Sequence, residues 1–254
     1  MRSLSLHAYV LHSYDWSDSS LVLDVFTREQ GRLAVVAKGA KRPTSQLRAV
    51  LLPMQALQIQ LTRPKGAEPV EVHTLRTAEW TASHPMPRGA ALLAAYYLNE
   101  LLMRLLPRAE PFAGLFEPYA HAMAGLSLAP EAPDAWLRAF ELTLLRELGF
   151  LPDLTEDSLR QTGLQAERLY ALSPELGLVP AGDVAGLSGA SWLELAFTLS
   201  QSLPELARSA AVARERVALK AVLRRLLNYH LGHQALRSRS VLHQTHDLLA
   251  LARS

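Results

Sequence analysis

The sequence predicts an α+β protein of two parts, an N-terminal OB-type β-barrel followed by a mostly α-helical domain. Two observations carry this. Five strand-like runs with turn chemistry between them fill roughly the first eighty residues, and from about residue 86 the hydrophobic period lengthens from two to that of a helix. Composition allows it: 254 residues, 49% of them hydrophobic, can bury one good core or two modest ones.

The strand-like runs are 4–12 (LSLHAYVLH), 20–28 (SLVLDVFTR), 32–38 (RLAVVAK), 56–62 (ALQIQLT) and 70–76 (VEVHTLR). In the fourth, Leu57, Ile59 and Leu61 alternate with Gln58, Gln60 and Thr62, as burial of one face requires. Glu29-Gln30-Gly31 and Pro64-Lys65-Gly66 supply turns. The longer gap at 40–55 falls where an OB-type barrel carries a connection between its third and fourth strands. The HPMPRG segment at 84–89 marks the junction, giving domains of 1–83 and 84–254.

Beyond the junction, three stripes at helical spacing stand out: Leu98, Leu101, Leu102, Leu105; Leu137, Phe140, Leu144, Leu148; and Leu219, Val222, Leu223, Leu226. Pro107, Pro111, Pro130, Pro133 and Pro152 punctuate the helices, and a further helix is expected from about 190. The stretch at about 150–188 is irregular and reads as a loop-rich insert or a few short elements. The last stripe belongs to a helix expected at about 212–231.

Net charge is only +2, so the distribution of charge says more than its sum. The run TREQGRLAVVAKGAKRP at 27–43 and the residue Arg48 place Arg28, Arg32, Lys38, Lys41, Arg42 and Arg48 together against Glu29 alone. On a barrel these share one wall, and cations on one wall suit phosphates. The same charges also suit a solvated sheet edge. Gly31 and Gly39 permit close approach of backbone to a ligand, and Tyr9, Tyr14, Trp16 and Phe26 are aromatics close enough in sequence to stack on bases. A second basic group, Arg214, Lys220, Arg224 and Arg225, lies opposite the apolar stripe of the last helix, followed by Arg237 and Arg239. Of these, Arg224, Arg237 and Arg239 form a possible second basic surface. Acids concentrate in the middle of the chain, from Glu110 to Asp157.

Signatures of catalysis are missing. There is no GxSxG, HExxH, Walker loop or GxGxxG, and the chain has no Cys, which excludes disulfides, thiol catalysis and thiolate metal sites. His230 with His233 and His243 with His246 have helical spacing, but no carboxylate or thiolate completes a metal set. The expectation is a protein that is not an enzyme and has no metal or cofactor. No apolar run suits a signal peptide or a membrane span, so a cytoplasmic protein without a membrane partner is expected.

The run AYVLHSYDWSDSSLVLDVFTREQGRLAVVAKGAKRP at 8–43 resembles the opening of the bacterial RecO recombination mediators. AYYLNELLMRLLP (95–107), FELTLLRELGFLP (140–152) and HLGHQALRSRSVL (230–242) resemble that family's best-marked helical segments, in the same order. The resemblance implies binding of single- and double-stranded DNA and annealing of complementary strands. It implies exchange of single-strand-binding protein for RecA with the partner RecR, and recognition of the acidic tail of single-strand-binding protein by the helical domain. It also implies work at the bacterial nucleoid. Many members hold zinc through four cysteines in the region matching 153–182; this chain has none, so that module is not expected. The competing expectations are a protein-only scaffold built on an OB-like barrel and an RNA-binding accessory factor.

Overall fold

The computed structural model describes residues 3–62, 70–81, 84–232 and 236–241. The N-terminal part is a closed five-stranded barrel. Its strands are β1 (Ser3–Asp15), β2 (Leu21–Thr27), β3 (Gly31–Ala37), β4 (Ala56–Thr62) and β5 (Val72–Trp80), with the four-residue helix α1 (Leu47–Val50) in the 40–55 connection. They are ordered β1-β2-β3-β5-β4, with β4 returning antiparallel to β1 and β3 parallel to β5. This is the OB-type arrangement expected. Leu57, Ile59 and Leu61 of β4 fill the barrel with Leu6, Val10, Leu23, Val25, Leu33 and Val35.

A bulge in β1 governs what the barrel shows its neighbours. Val10 pairs with Val25 and His12 with Asp24, so Leu11 is the extra residue. Before the bulge the odd residue Tyr9 faces outward; after it His12 and Tyr14 do. Leu11, the extra residue, joins Tyr9, Phe26 and Met54 in the core of the helical body. β2 is buried on both faces at its end: Val25 packs inward and Phe26 outward, both 1% exposed or less.

The body is built from α2 (Gly89–Leu105), α3 (Ala113–Leu128) and α4 (Pro133–Glu147), then α5 (Gly189–Leu199), α6 (Leu203–Arg208), α7 (Ala210–Arg214) and α8 (Arg216–Leu231). Gly125 of α3 makes room for the Trp136 ring of α4; a Cβ there would lie 2.2 Å from the indole. The helix expected from about 190 begins after Ser188, whose hydroxyl accepts from the Ser191 N–H. The single helix expected at 212–231 is two, broken at Glu215. There the backbone leaves helical conformation, with φ −95° and ψ 16°, and the carboxylate accepts from the Ser191 hydroxyl at 2.8 Å.

The 150–188 stretch is a set of short strands rather than loop alone. β6 (Glu156–Asp157) pairs with β7 (Thr162–Gly163), and β8 (Leu169–Ser173) lies between β9 (Gly177–Pro180) and β10 (Leu187–Ser188). Apolar packing by Tyr170, Leu172, Leu178 and Leu187 joins this unit to the main core, and Trp192 donates to the Tyr170 carbonyl at 2.9 Å.

Barrel and body meet through aromatic packing and buried polar contacts. Tyr9 lies 4.9 Å from Tyr119 and 5.6 Å from Phe116, and Phe26 lies 5.6 Å from Phe116. Asn99 donates to the Leu11 carbonyl at 2.9 Å and accepts from the Tyr119 hydroxyl at 2.6 Å. Burial pushes the Tyr9 hydroxyl up to about 12, with the Glu117 charge acting in the same direction and Arg28 against it. Gly31, expected to admit a ligand, instead admits backbone: a Cβ there would stand 1.8 Å from the Glu110 carbonyl oxygen. Among the described residues, no helix is long and apolar enough to cross a membrane.

Candidate nucleic-acid interface

Two connections meet at one pole of the barrel. The segment after β3 turns at Gly39, where φ is +73°, and lies against the β1–β2 connection. The Lys41 N–H donates to the Ser19 carbonyl at 3.0 Å and the Gly39 N–H to the Ser20 hydroxyl at 3.4 Å. These bonds place Lys38, Lys41 and Arg42 beside the connection that carries Trp16. That ring is 70% exposed. Lys38 and Arg42 are exposed, whereas Lys41 is partly occupied, paired with Asp15 at 3.1 Å and donating to the Ser17 carbonyl at 3.2 Å. Arg48 is exposed on α1. The Trp80 indole, also exposed, donates to the Val50 carbonyl at the end of that helix.

The reading of one basic wall needs three corrections. The β1–β2 connection brings exposed Asp15 and Asp18 to the pole, so Glu29 is not the only acid near these cations. Arg28 turns to the body, pairing with Glu117 and lying over the Phe116 ring at 5.1 Å. Arg32 is a joint: its Nε donates to Asp24 at 2.9 Å, and its Nη1 donates to the carbonyls of Met103 and Leu106 at the C-terminal end of α2. Those carbonyls lack helical partners, so a half-buried guanidinium there satisfies them and the helix dipole together. Around Phe26 and Arg32 the outer face of β2 and β3 belongs to the barrel–body contact. Of the aromatics, Tyr9 and Phe26 are buried there, and Tyr14 and Trp16 face outward.

The C-terminal arginines divide between two cavities. Arg224 and Arg239 line one of about 450 Å³ among α2, α4 and α8, with Lys220 and the apolar Ala90, Ala94 and Leu137. Arg239 is held by the Tyr97 hydroxyl at 3.0 Å and the Asn228 amide oxygen at 2.6 Å. Tyr97 in turn donates to Glu141 at 2.5 Å; burial and that carboxylate push its hydroxyl far up. Arg237 lines the other cavity, about 740 Å³, between β1, β2 and α2. Sequence reasoning missed four other residues of that cavity, His12, Tyr96, Arg104 and Arg108. The β1 bulge and the α2 register that bring them together leave no local signal. Arg214, grouped by sequence with the last helix, pairs instead with Glu194 of α5, and Arg225 donates to the Leu172 carbonyl.

Among the described residues, no three His, Asp or Glu side chains gather as a metal set. His230 stacks on Phe150 with ring centres 3.9 Å apart, and burial lowers its pKa. His233, His243 and His246 lie outside the described residues.

Residues 1–84 match the family described as "Recombination protein O N terminal", and residues 86–240 the one described as "Recombination protein O C terminal". The chain is 49% identical over 240 residues to "DNA repair protein RecO" of Delftia acidovorans, covering 92% of this chain and 93% of the relative. The protein of the same name from Variovorax paradoxus is 48% identical over 256 residues, 96% of each chain. That of Acidovorax ebreus is 49% identical over 247 residues, 92% of this chain and 94% of the relative.

Proposed function

The chain belongs to the RecO family of DNA repair and recombination proteins, and on that footing we propose that it is a non-catalytic recombination mediator. In this reading it binds single- and double-stranded DNA and anneals complementary strands coated with single-strand-binding protein. With RecR it promotes loading of RecA, working at the nucleoid in the bacterial cytoplasm. The observation that carries it is the barrel pole, where exposed Lys38, Arg42 and Trp16 stand together with Lys41. Cations beside an exposed indole form the pairing that a single strand needs, charge for its backbone and a platform for its bases. Arg48 supports them from α1.

Annealing then requires no covalent chemistry. Neutralising the phosphates of two strands removes the repulsion between them, and base pairing supplies the driving force. Each neutralised phosphate adds about 0.7 to the slope of log affinity against log salt on single strands. For the acidic tail of single-strand-binding protein, the cavity of about 450 Å³ offers the matching chemistry of an apolar floor with a basic rim. Two of its acids are already paired, Asp134 with Arg216 and Glu141 with Arg138, leaving Lys220, Arg224 and Arg239 against Glu131.

The test is annealing of complementary oligonucleotides, naked or coated with single-strand-binding protein, at low and moderate salt. Acceleration on coated strands that fades with salt is the expected result. A Lys38→Ala, Lys41→Ala, Arg42→Ala variant should lose it, and an Arg224→Glu variant should lose it on coated strands alone. Acceleration on naked strands only would remove tail recognition. No DNA binding beside tight protein binding would favour the scaffold, and preference for RNA of the same sequence would favour the RNA factor.

A further inference from the structure

We infer that a single strand leaving the barrel pole continues into the groove between barrel and body, stacking bases on Tyr14 and Tyr96 and laying phosphates on Arg108 and Arg237. The inference rests on the DNA-binding reading above and extends it to a second, interdomain subsite.

The groove is the cavity of about 740 Å³, walled by β1 and β2 on one side and by α2 and residues 236–241 on the other. Tyr14 stands on the barrel wall at 49% exposure and Tyr96 on the α2 wall at 42%. The β1 bulge turns Tyr14 into this space, and the His12 and Tyr14 rings pack edge to face with centres 4.5 Å apart. The groove begins one residue along β1 from the pole: Tyr14 lines it, and Asp15, the next residue, is the partner of Lys41.

Charge in the groove favours a polyanion. Four arginines line it, Arg32, Arg104, Arg108 and Arg237, against two acids, Asp24 and Glu100. Glu100 spends its carboxylate on the N–H groups of Arg237 and Ser238, both at 2.9 Å, and on the Ser238 hydroxyl at 2.6 Å. Those bonds fix the backbone of Arg237 at the groove wall and leave its guanidinium for another partner. Asp24 gives its closer contact to Arg32 at 2.9 Å and the longer one, 3.3 Å, to Arg108, whose side chain is 53% exposed.

Two exposed rings on opposite walls suit an unstacked base better than a duplex, whose base faces are already covered. An acidic, apolar peptide finds its match in the cavity of about 450 Å³, whereas this groove, with a ring on each wall, suits a strand of nucleic acid.

The test uses the full chain and fluorescein-labelled oligothymidylates of graded length. A Tyr96→Ala, Arg237→Ala variant should bind the shortest oligomers as the parent does, since the pole holds them. On longer oligomers it should lose about fivefold or more, the size of one lost stack. Its salt slope there should be shallower by about 0.7. Equal length dependence and equal slope in parent and variant would overturn the inference. Unchanged oligothymidylate binding with loss of an oligoglutamate peptide would overturn it in favour of a protein partner. A parent that binds no oligomer at all would instead remove the reading beneath it. Cross-linking of 5-iododeoxyuridine oligomers to the unmutated chain is independent of any folding defect. Adducts on Tyr14 or Tyr96 are expected, and adducts confined to Trp16 would overturn the path.

Discussion

At Gly31 the chain turns between β2 and β3 with φ at +68°, and the space a Cβ would occupy is already taken by the Glu110 carbonyl. Gly39 has a similar φ of +73°, but only the flexible Arg42 side chain lies nearby, at 3.6 Å. The left-handed backbone alone costs an L-residue about 1–2 kcal/mol, so Gly39→Ala should cost about that much. Gly31→Ala adds a backbone clash that only separation of barrel and body relieves, and should cost about 3 kcal/mol or more. Urea unfolding of the two variants checks this, and equal losses would mean that the Glu110 carbonyl yields easily. Asn99 belongs to the same contact. Asn99→Ala leaves the Leu11 carbonyl and the Tyr119 hydroxyl buried without partners and should cost about 2–4 kcal/mol. Tyr119→Phe in that background should recover none of the loss at the Leu11 carbonyl. The sequence shows a glycine in a turn at 31, but what the glycine makes room for comes from a segment nearly eighty positions away. Arg32 is illegible for the same reason, since its acceptors belong to the end of α2.

Among the described residues, the segment at 236–241 is held to α2 through Glu100. Burial alone would raise the Glu100 pKa. The hydroxyl and N–H of Ser238, the N–H of Arg237 and the Arg104 charge outweigh it and hold the carboxylate below its ordinary value. A depressed carboxylate contributes stability that is complete above its unfolded pKa and is lost as pH falls through the folded one. The segment should therefore stay docked at neutral pH and loosen in acid below the usual glutamate range. Hydrogen-exchange protection of the Arg237 and Ser238 amides should fall between pH 7 and pH 3, while amides of α2 keep theirs. Glu100→Gln should remove the difference between the two pH values, and undiminished protection at low pH would show that other contacts hold the segment. The same scale explains which elements were legible. β4 alternates cleanly and matches its expected bounds of 56–62. β1 runs to Asp15, beyond the expected 4–12, because the bulge lets it continue after the alternation changes phase. β6 to β10 are two to five residues long, too short for a period to show.

For the molecule as a whole, the boundary at 83/84 separates two sequence patterns, yet the packing crosses it. Tyr9, Leu11, Phe26 and Met54 belong to the core of the body, and each is 3% exposed or less. Truncation of a buried aromatic typically costs about 3–5 kcal/mol, and cutting the chain at the boundary would uncover Tyr9 and Phe26 at once. Barrel and body should therefore unfold together although the chain exceeds the usual two-state size. The four tryptophans divide evenly and make the test direct: Trp16 and Trp80 report on the barrel, Trp136 and Trp192 on the body. A Trp16→Phe, Trp80→Phe variant follows the body alone, and a Trp136→Phe, Trp192→Phe variant the barrel alone. Within each variant the tryptophan midpoint in urea should coincide with the midpoint by far-ultraviolet circular dichroism, which follows both parts. A barrel that melts first would mean that the aromatic contact is weaker than the barrel's own closure, and that the groove between them opens without unfolding the body. Coincidence would mean that the groove has fixed walls, so a strand bound there meets Tyr14 and Tyr96 at a set separation and pays little for ordering them.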